Sequence, residues 1–96
     1  MKIKKLVTSL VLVVSLASPI VAFAANVGGG TWNYGVGWTG TFGYSNYHHA
    51  TRFHGSAIKY NTKVVASANA SKGDWANSSY SIFPPTRLSY YWNYGN

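Results

Sequence analysis

The chain has no cysteine, one acidic residue (Asp74) and no long hydrophobic run beyond its first two dozen positions. Without cysteine there is no disulfide staple and no thiol nucleophile. One carboxylate excludes the paired acids of a glycoside hydrolase. Proline is confined to Pro19, Pro84 and Pro85. Helical periodicity is absent after the N-terminal segment, so an all-α fold is excluded as well.

That N-terminal segment has the order of a secretory signal peptide. Lys2, Lys4 and Lys5 precede an apolar run from Leu6 to Phe23, which closes on Ala22-Phe23-Ala24. A basic end, an apolar middle and a small-x-small site predict cleavage after Ala24, leaving Ala25 as the new N-terminus. A retained membrane anchor is the alternative, but Thr8, Ser9, Ser15, Ser18 and Pro19 weaken a run already near the lower length limit of a spanning helix. A double-glycine leader at Gly28-Gly29-Gly30 fits less well, since such leaders lack a long apolar core. The expected division is residues 1–24 as signal and 25–96 as one mature, extracellular domain with no transmembrane segment of its own.

A mature chain of 72 residues is at the lower end of what one core can hold together, and small secreted domains usually add disulfides or metals. Here four Trp, eight Tyr and Phe42, Phe53 and Phe83 take that role. Each aromatic buries on the order of 150–250 Å². Arg52, Lys59, Lys63, Lys72 and Arg87 against Asp74 give residues 25–96 a net charge of +4. A basic surface almost free of acid favours anionic partners such as phosphate groups, anionic lipid or acidic wall polymers. Export and the lack of a basic cluster argue against nucleic acid.

Glycine, Thr, Trp and Tyr dominate Asn26 to Gly43, with Trp32, Tyr34, Val36 and Trp38 at period two, as on one face of a strand. The interleaved Gly35 and Gly37 leave the other face bare. They serve either as bends in an edge strand or as room for the close approach of a sheet or ligand. A strand over Arg52 to Tyr60 would place His54, Ser56, Ile58 and Tyr60 on one side. Asn61-Thr62 reads as a turn into a return strand over Lys63 to Ala68, and Asn69 to Asp74 reads as a loop. Trp75 to Phe83 is a further strand, stopped by Pro84-Pro85. The last, Arg87 to Tyr94, presents Leu88, Tyr90, Trp92 and Tyr94 together. Short strands with frequent turns predict a sandwich or small barrel.

His48, His49 and His54 are the only titratable cluster. A metal site needs three or four converging ligands, and adjacent histidines on a strand point to opposite faces. A Ser-His-Asp triad is formally available, but no Gly-x-Ser-x-Gly elbow occurs. No metal, cofactor or catalytic residue is therefore assigned, and the histidines are read as hydrogen-bonding groups, some of them able to touch a ligand.

Gly29-Gly30-Thr31-Trp32, then Ser45-Asn46-Tyr47-His48-His49, then Trp75 and the aromatic end Tyr90-Tyr91-Trp92 follow an order and spacing that resemble the lactococcin 972 family of bacteriocins. The resemblance covers essentially the whole mature chain. It implies a β-sandwich of two three-stranded antiparallel sheets without disulfides. It also implies a homodimer that binds the cell-wall precursor lipid II and blocks septum formation without forming pores. Arg52, Lys59, Lys63 and Arg87 are candidates for a pyrophosphate. Trp32, Trp38 and Tyr47 are candidates for stacking on sugars, and Asn46, His48 and His49 join them from the motif. The chain departs from the family's pattern at Pro84-Pro85, where a more charged stretch is expected, and in running on through Asn93-Tyr94-Gly95-Asn96. A non-toxic wall-binding or adhesive β module is the competing function, and a small hydrolase a third.

Overall fold

A computed structural model describes residues 12–14 and 22–95. Most of the expected signal segment lies outside these residues. In chain order the strands are β1 (Leu12–Val14), β2 (Ala22–Val27), β3 (Gly30–Val36), β4 (Phe42–His48), β5 (His54–Tyr60), β6 (Lys63–Ala70), β7 (Trp75–Ser81) and β8 (Leu88–Tyr94). They form two sheets, β1-β8-β5-β6 (sheet I) and β2-β3-β4-β7 (sheet II), antiparallel throughout. No helix occurs among the described residues. The all-β sandwich is thus the observed fold. Residues from Ala25 onward supply three full strands to each sheet, while β1 and the first half of β2 add a fourth to each from residues before Ala25.

The alternation that makes these strands also decides what faces inward. Trp32, Tyr34, Val36 and Tyr47 from sheet II meet Ile58, Leu88 and Tyr90 from sheet I in one buried cluster. Small residues sit between the large ones: Ser45, Ser56, Ala76 and Ser78 are all buried. They let the sheets approach closely enough for direct bonds between them. The Ser45 hydroxyl donates to the Tyr91 carbonyl at 2.9 Å while accepting from Trp32 Nε1 at 2.9 Å. The Ser56 hydroxyl donates to the Ala76 carbonyl at 2.9 Å and lies 2.7 Å from the Ser78 hydroxyl. Hydrogen bonding offsets the desolvation of these hydroxyls.

Several elements differ from the sequence reading. The Gly-rich segment Asn26–Gly43 contains three pieces, not one: the end of β2, all of β3 and the start of β4. The break between the first two is a two-residue turn at Gly28-Gly29, both at positive φ (61° and 84°), which is the geometry of the tightest hairpins. Trp38 leaves the face it was expected to share with Trp32, because the chain turns after Val36 and the indole lies 78% exposed in the β3–β4 loop. Residues 45–48, left outside the expected strands, belong to β4. The return strand β6 runs on to Ala70, so the following loop begins at Ser71.

The sandwich has two chemically different ends. At one, β5 begins at His54 opposite Tyr94 of β8, and His48 of β4 pairs with Trp75 of β7. At the other, Tyr60 pairs with Leu88 and Phe42 with Ser81.

Candidate functional site

Residues at alternate positions of β3, β4 and β7 face away from the core and form an outer surface on sheet II. The register sets them in rows: Thr31–His48–Trp75, Asn33–Asn46–Asn77 and Gly35–Tyr44–Ser79. The middle row is a ladder of three carboxamides, one per strand. Each carboxamide offers two donors and an acceptor. Asn33 and Asn46 are half-buried and Asn77 exposed. Among the described residues, none of the three side chains makes a hydrogen bond within the protein. Tyr44 bounds the ladder on one side. On the other, His48 packs on Trp75 with ring centroids 5.2 Å apart, and its Nε2 donates to the Gly73 carbonyl at 3.2 Å. Gly35 is buried and adds no side chain to the face. No acidic side chain lies in these rows. Unspent amides between aromatic plates suit a polyhydroxylated or N-acylated ligand better than an apolar one.

Immediately above this face the two other histidines are built into the structure. His49 is buried, and its Nδ1 accepts the backbone N–H groups of Thr51 and Arg52, both at 3.2 Å. Its proton therefore sits on Nε2, which donates to the Gly28 carbonyl at 3.0 Å. Burial holds this imidazole below its usual pKa, and the neighbouring His54, Arg52 and His48 push the same way against the Gly28 hydrogen bond. His54, also buried, places its two ring nitrogens 2.7 Å from the Arg52 and Asp74 carbonyls. Both residues bind loops to strands. The Asp74 contact is to backbone, so no His–carboxylate couple exists here. Among the described residues, no three His, Cys, Asp or Glu side chains are grouped to hold a metal ion.

The other candidates separate. Trp32 and Tyr47 do not present faces for stacking. Both are fully buried, Trp32 stacked on Tyr34 and Tyr47 donating its hydroxyl to the Val27 carbonyl at 2.7 Å. Burial, with lesser help from Tyr94, pushes the Tyr47 phenol up to about 12. Asn46 and His48 do lie on the open face. Arg52 stands over the Tyr94 ring at 4.7 Å, and Lys59 over Tyr91 at 5.1 Å on the outside of sheet I. Lys63, Arg87 and Trp38 belong to the end remote from the histidines. Asn33, Asn77, Tyr44 and Trp75 were not named as contacts in the sequence. Trp75 was marked only as part of the family pattern, and the signal for the other three was alternation with buried partners.

A flat polar sheet face, flanked by aromatics on a cysteine-free β-sandwich, defines a small all-β protein whose open surface suits binding. A family model described as Bacteriocin (Lactococcin_972) matches residues 28–91. The solved structure of lactococcin 972 is 29% identical, with a TM-score of 0.58, over 68% of this chain and 97% of that one. The chain belongs to the lactococcin 972 family of bacteriocins. No curated protein sequence matches it significantly.

Proposed function

We propose that the protein is an exported bacteriocin that acts by binding, not catalysis. Its target is a cell-wall precursor such as lipid II, its effect a block of septal wall synthesis without pores, and its site of action outside the producing cell. The observation that carries the assignment to a site is the Asn33–Asn46–Asn77 ladder between Tyr44 and the His48–Trp75 pair. Amides hydrogen-bond sugar hydroxyls and N-acetyl groups, and exposed rings stack on the apolar faces of pyranoses. The precursor's pyrophosphate then meets a cation at one end of the face, Arg52 beside the histidines or Arg87 at the opposite end.

The test uses protein recovered from the medium of a secreting host, applied to dividing Gram-positive indicator strains with free lipid II as antagonist. Growth arrest relieved by lipid II is expected. Asn46→Ala and Trp75→Ala should each weaken binding about tenfold, the scale of losing one hydrogen-bonded or stacking contact. Arg52→Gln and Arg87→Gln distinguish the phosphate-binding end. Rapid dye entry into treated cells would contradict the pore-free mechanism. A non-toxic wall-binding module would use the same face, and retention on isolated walls without growth arrest would identify it.

A further inference from the structure

The end of the sandwich remote from the histidines carries the two most exposed large hydrophobic side chains among the described residues, Trp38 at 78% and Phe83 at 79%. They come from different loops, β3–β4 and β7–β8, held together where Ile82 N–H donates to the Thr41 carbonyl at 3.0 Å. Sheet I supplies cations to the same end. Asn61 N–H donates to the Arg87 carbonyl at 2.9 Å, and Lys63 opens β6 opposite Tyr60, which also pairs with Leu88. Arg87 and Lys63 are both exposed, and Lys59 lies one residue inside the end of β5. The chain's sole acidic side chain, Asp74, belongs to the opposite end, its carbonyl beside His54. Seven-residue strands separate the ends by about 23 Å, more than two Debye lengths at physiological salt. The local field here is therefore set by cations alone.

We infer that this end docks on the surface of an anionic phospholipid bilayer, with Trp38 and Phe83 entering the headgroup region and Lys63 and Arg87 meeting lipid phosphates. An exposed Trp and an exposed Phe at one end of the sandwich, with basic residues at that same end, are the chemistry of an interfacial contact. Charge complementarity selects an anionic bilayer over a neutral one, each cation contributing about a fivefold gain in affinity. Insertion stops at the interface, because an open sheet has unpaired edges that hydrocarbon cannot satisfy. The surface is separate from the asparagine ladder and needs no wall precursor.

The experiment is co-sedimentation of the protein released from a secreting host with vesicles of phosphatidylglycerol and phosphatidylcholine, free of any wall precursor. Binding to the anionic vesicles is expected, with little to pure phosphatidylcholine and release at about 1 M salt, where the Debye length falls to about 3 Å. Trp38→Ala and Phe83→Ala should each weaken it about tenfold, and Lys63→Gln and Arg87→Gln about fivefold each. Phe53→Ala and Lys72→Gln, at the other end, should leave it unchanged. Equal binding by wild type and Trp38→Ala, or equal loss from Lys72→Gln and Arg87→Gln, overturns the assignment. So does a Trp38→Ala protein that turns from dimer to monomer in sedimentation without losing vesicle affinity, since the end would then be covered by a second copy. All the replaced side chains are exposed, so folding is preserved.

Discussion

Ser56 and Tyr90 share one interior and use their hydroxyls in opposite ways. Ser56 bonds across the sheets to Ala76 and Ser78. The Tyr90 hydroxyl is buried with no hydrogen-bond partner among the described residues, and burial, aided by Tyr44, pushes its pKa up to about 12. Ser56→Ala should therefore destabilise the fold by about 1–2 kcal/mol, because it strips partners from buried groups. Tyr90→Phe should be neutral or raise stability by up to about 1 kcal/mol. Urea unfolding checks both, and a Tyr90→Phe loss above that of Ser56→Ala would contradict the comparison. His49 makes a pH prediction. Its folded pKa lies below the usual 6.5, so the unfolded chain takes up the proton first. The stability it contributes is complete above about pH 6.5 and is lost as pH falls below that value. The urea midpoint should drop from about pH 7 to about pH 5, and by less in His49→Gln.

Among the elements, the Gly28-Gly29 turn is the most restrictive. A Cβ at Gly28 would fall on the Trp92 ring and on the Tyr47 hydroxyl, and its φ of 61° already disfavours a side chain. Gly28→Ala should cost at least about 1 kcal/mol, whereas Asn61→Gly, at φ 56° in the β5–β6 turn, should be nearly neutral. Thermal denaturation of the two variants separates these outcomes. The inward side of β8 was legible in the sequence because Leu88, Tyr90, Trp92 and Tyr94 recur at period two, and that of β5 because Ile58 and Tyr60 do. β4 was not. Its inward row of Gly43, Ser45, Tyr47 reads as polar, and its small members make sense only opposite the groups they admit: Leu88 and Tyr90 against Gly43, Trp32 on Ser45. Trp38 was misplaced for a related reason, since period two continues through a turn that only the Gly37–Phe42 and Gly40–Gly37 backbone bonds reveal.

For the molecule as a whole, every residue of the buried cluster lies between Trp32 and Tyr90. A chain of residues 25–96 should therefore keep its β-sheet circular dichroism and unfold cooperatively. It would also uncover one edge of β8 and about half of one edge of β3, now paired with β1 and the first half of β2. Bare edges invite pairing, so sedimentation equilibrium should show concentration-dependent dimers of this form, and a strict monomer at high concentration would refute edge pairing. By itself the sequence determined the strand periodicity, the reliance on aromatics in place of disulfides, the cationic excess and the family. All of these are carried by composition or by residues close together in the chain. The tertiary structure decided which aromatics are core and which are surface, and it assembled the open face from Asn33, Asn46 and Asn77. Those asparagines become neighbours only through the antiparallel register of three strands, and pairing across such separations is set by how the whole inner face packs, which no local pattern encodes.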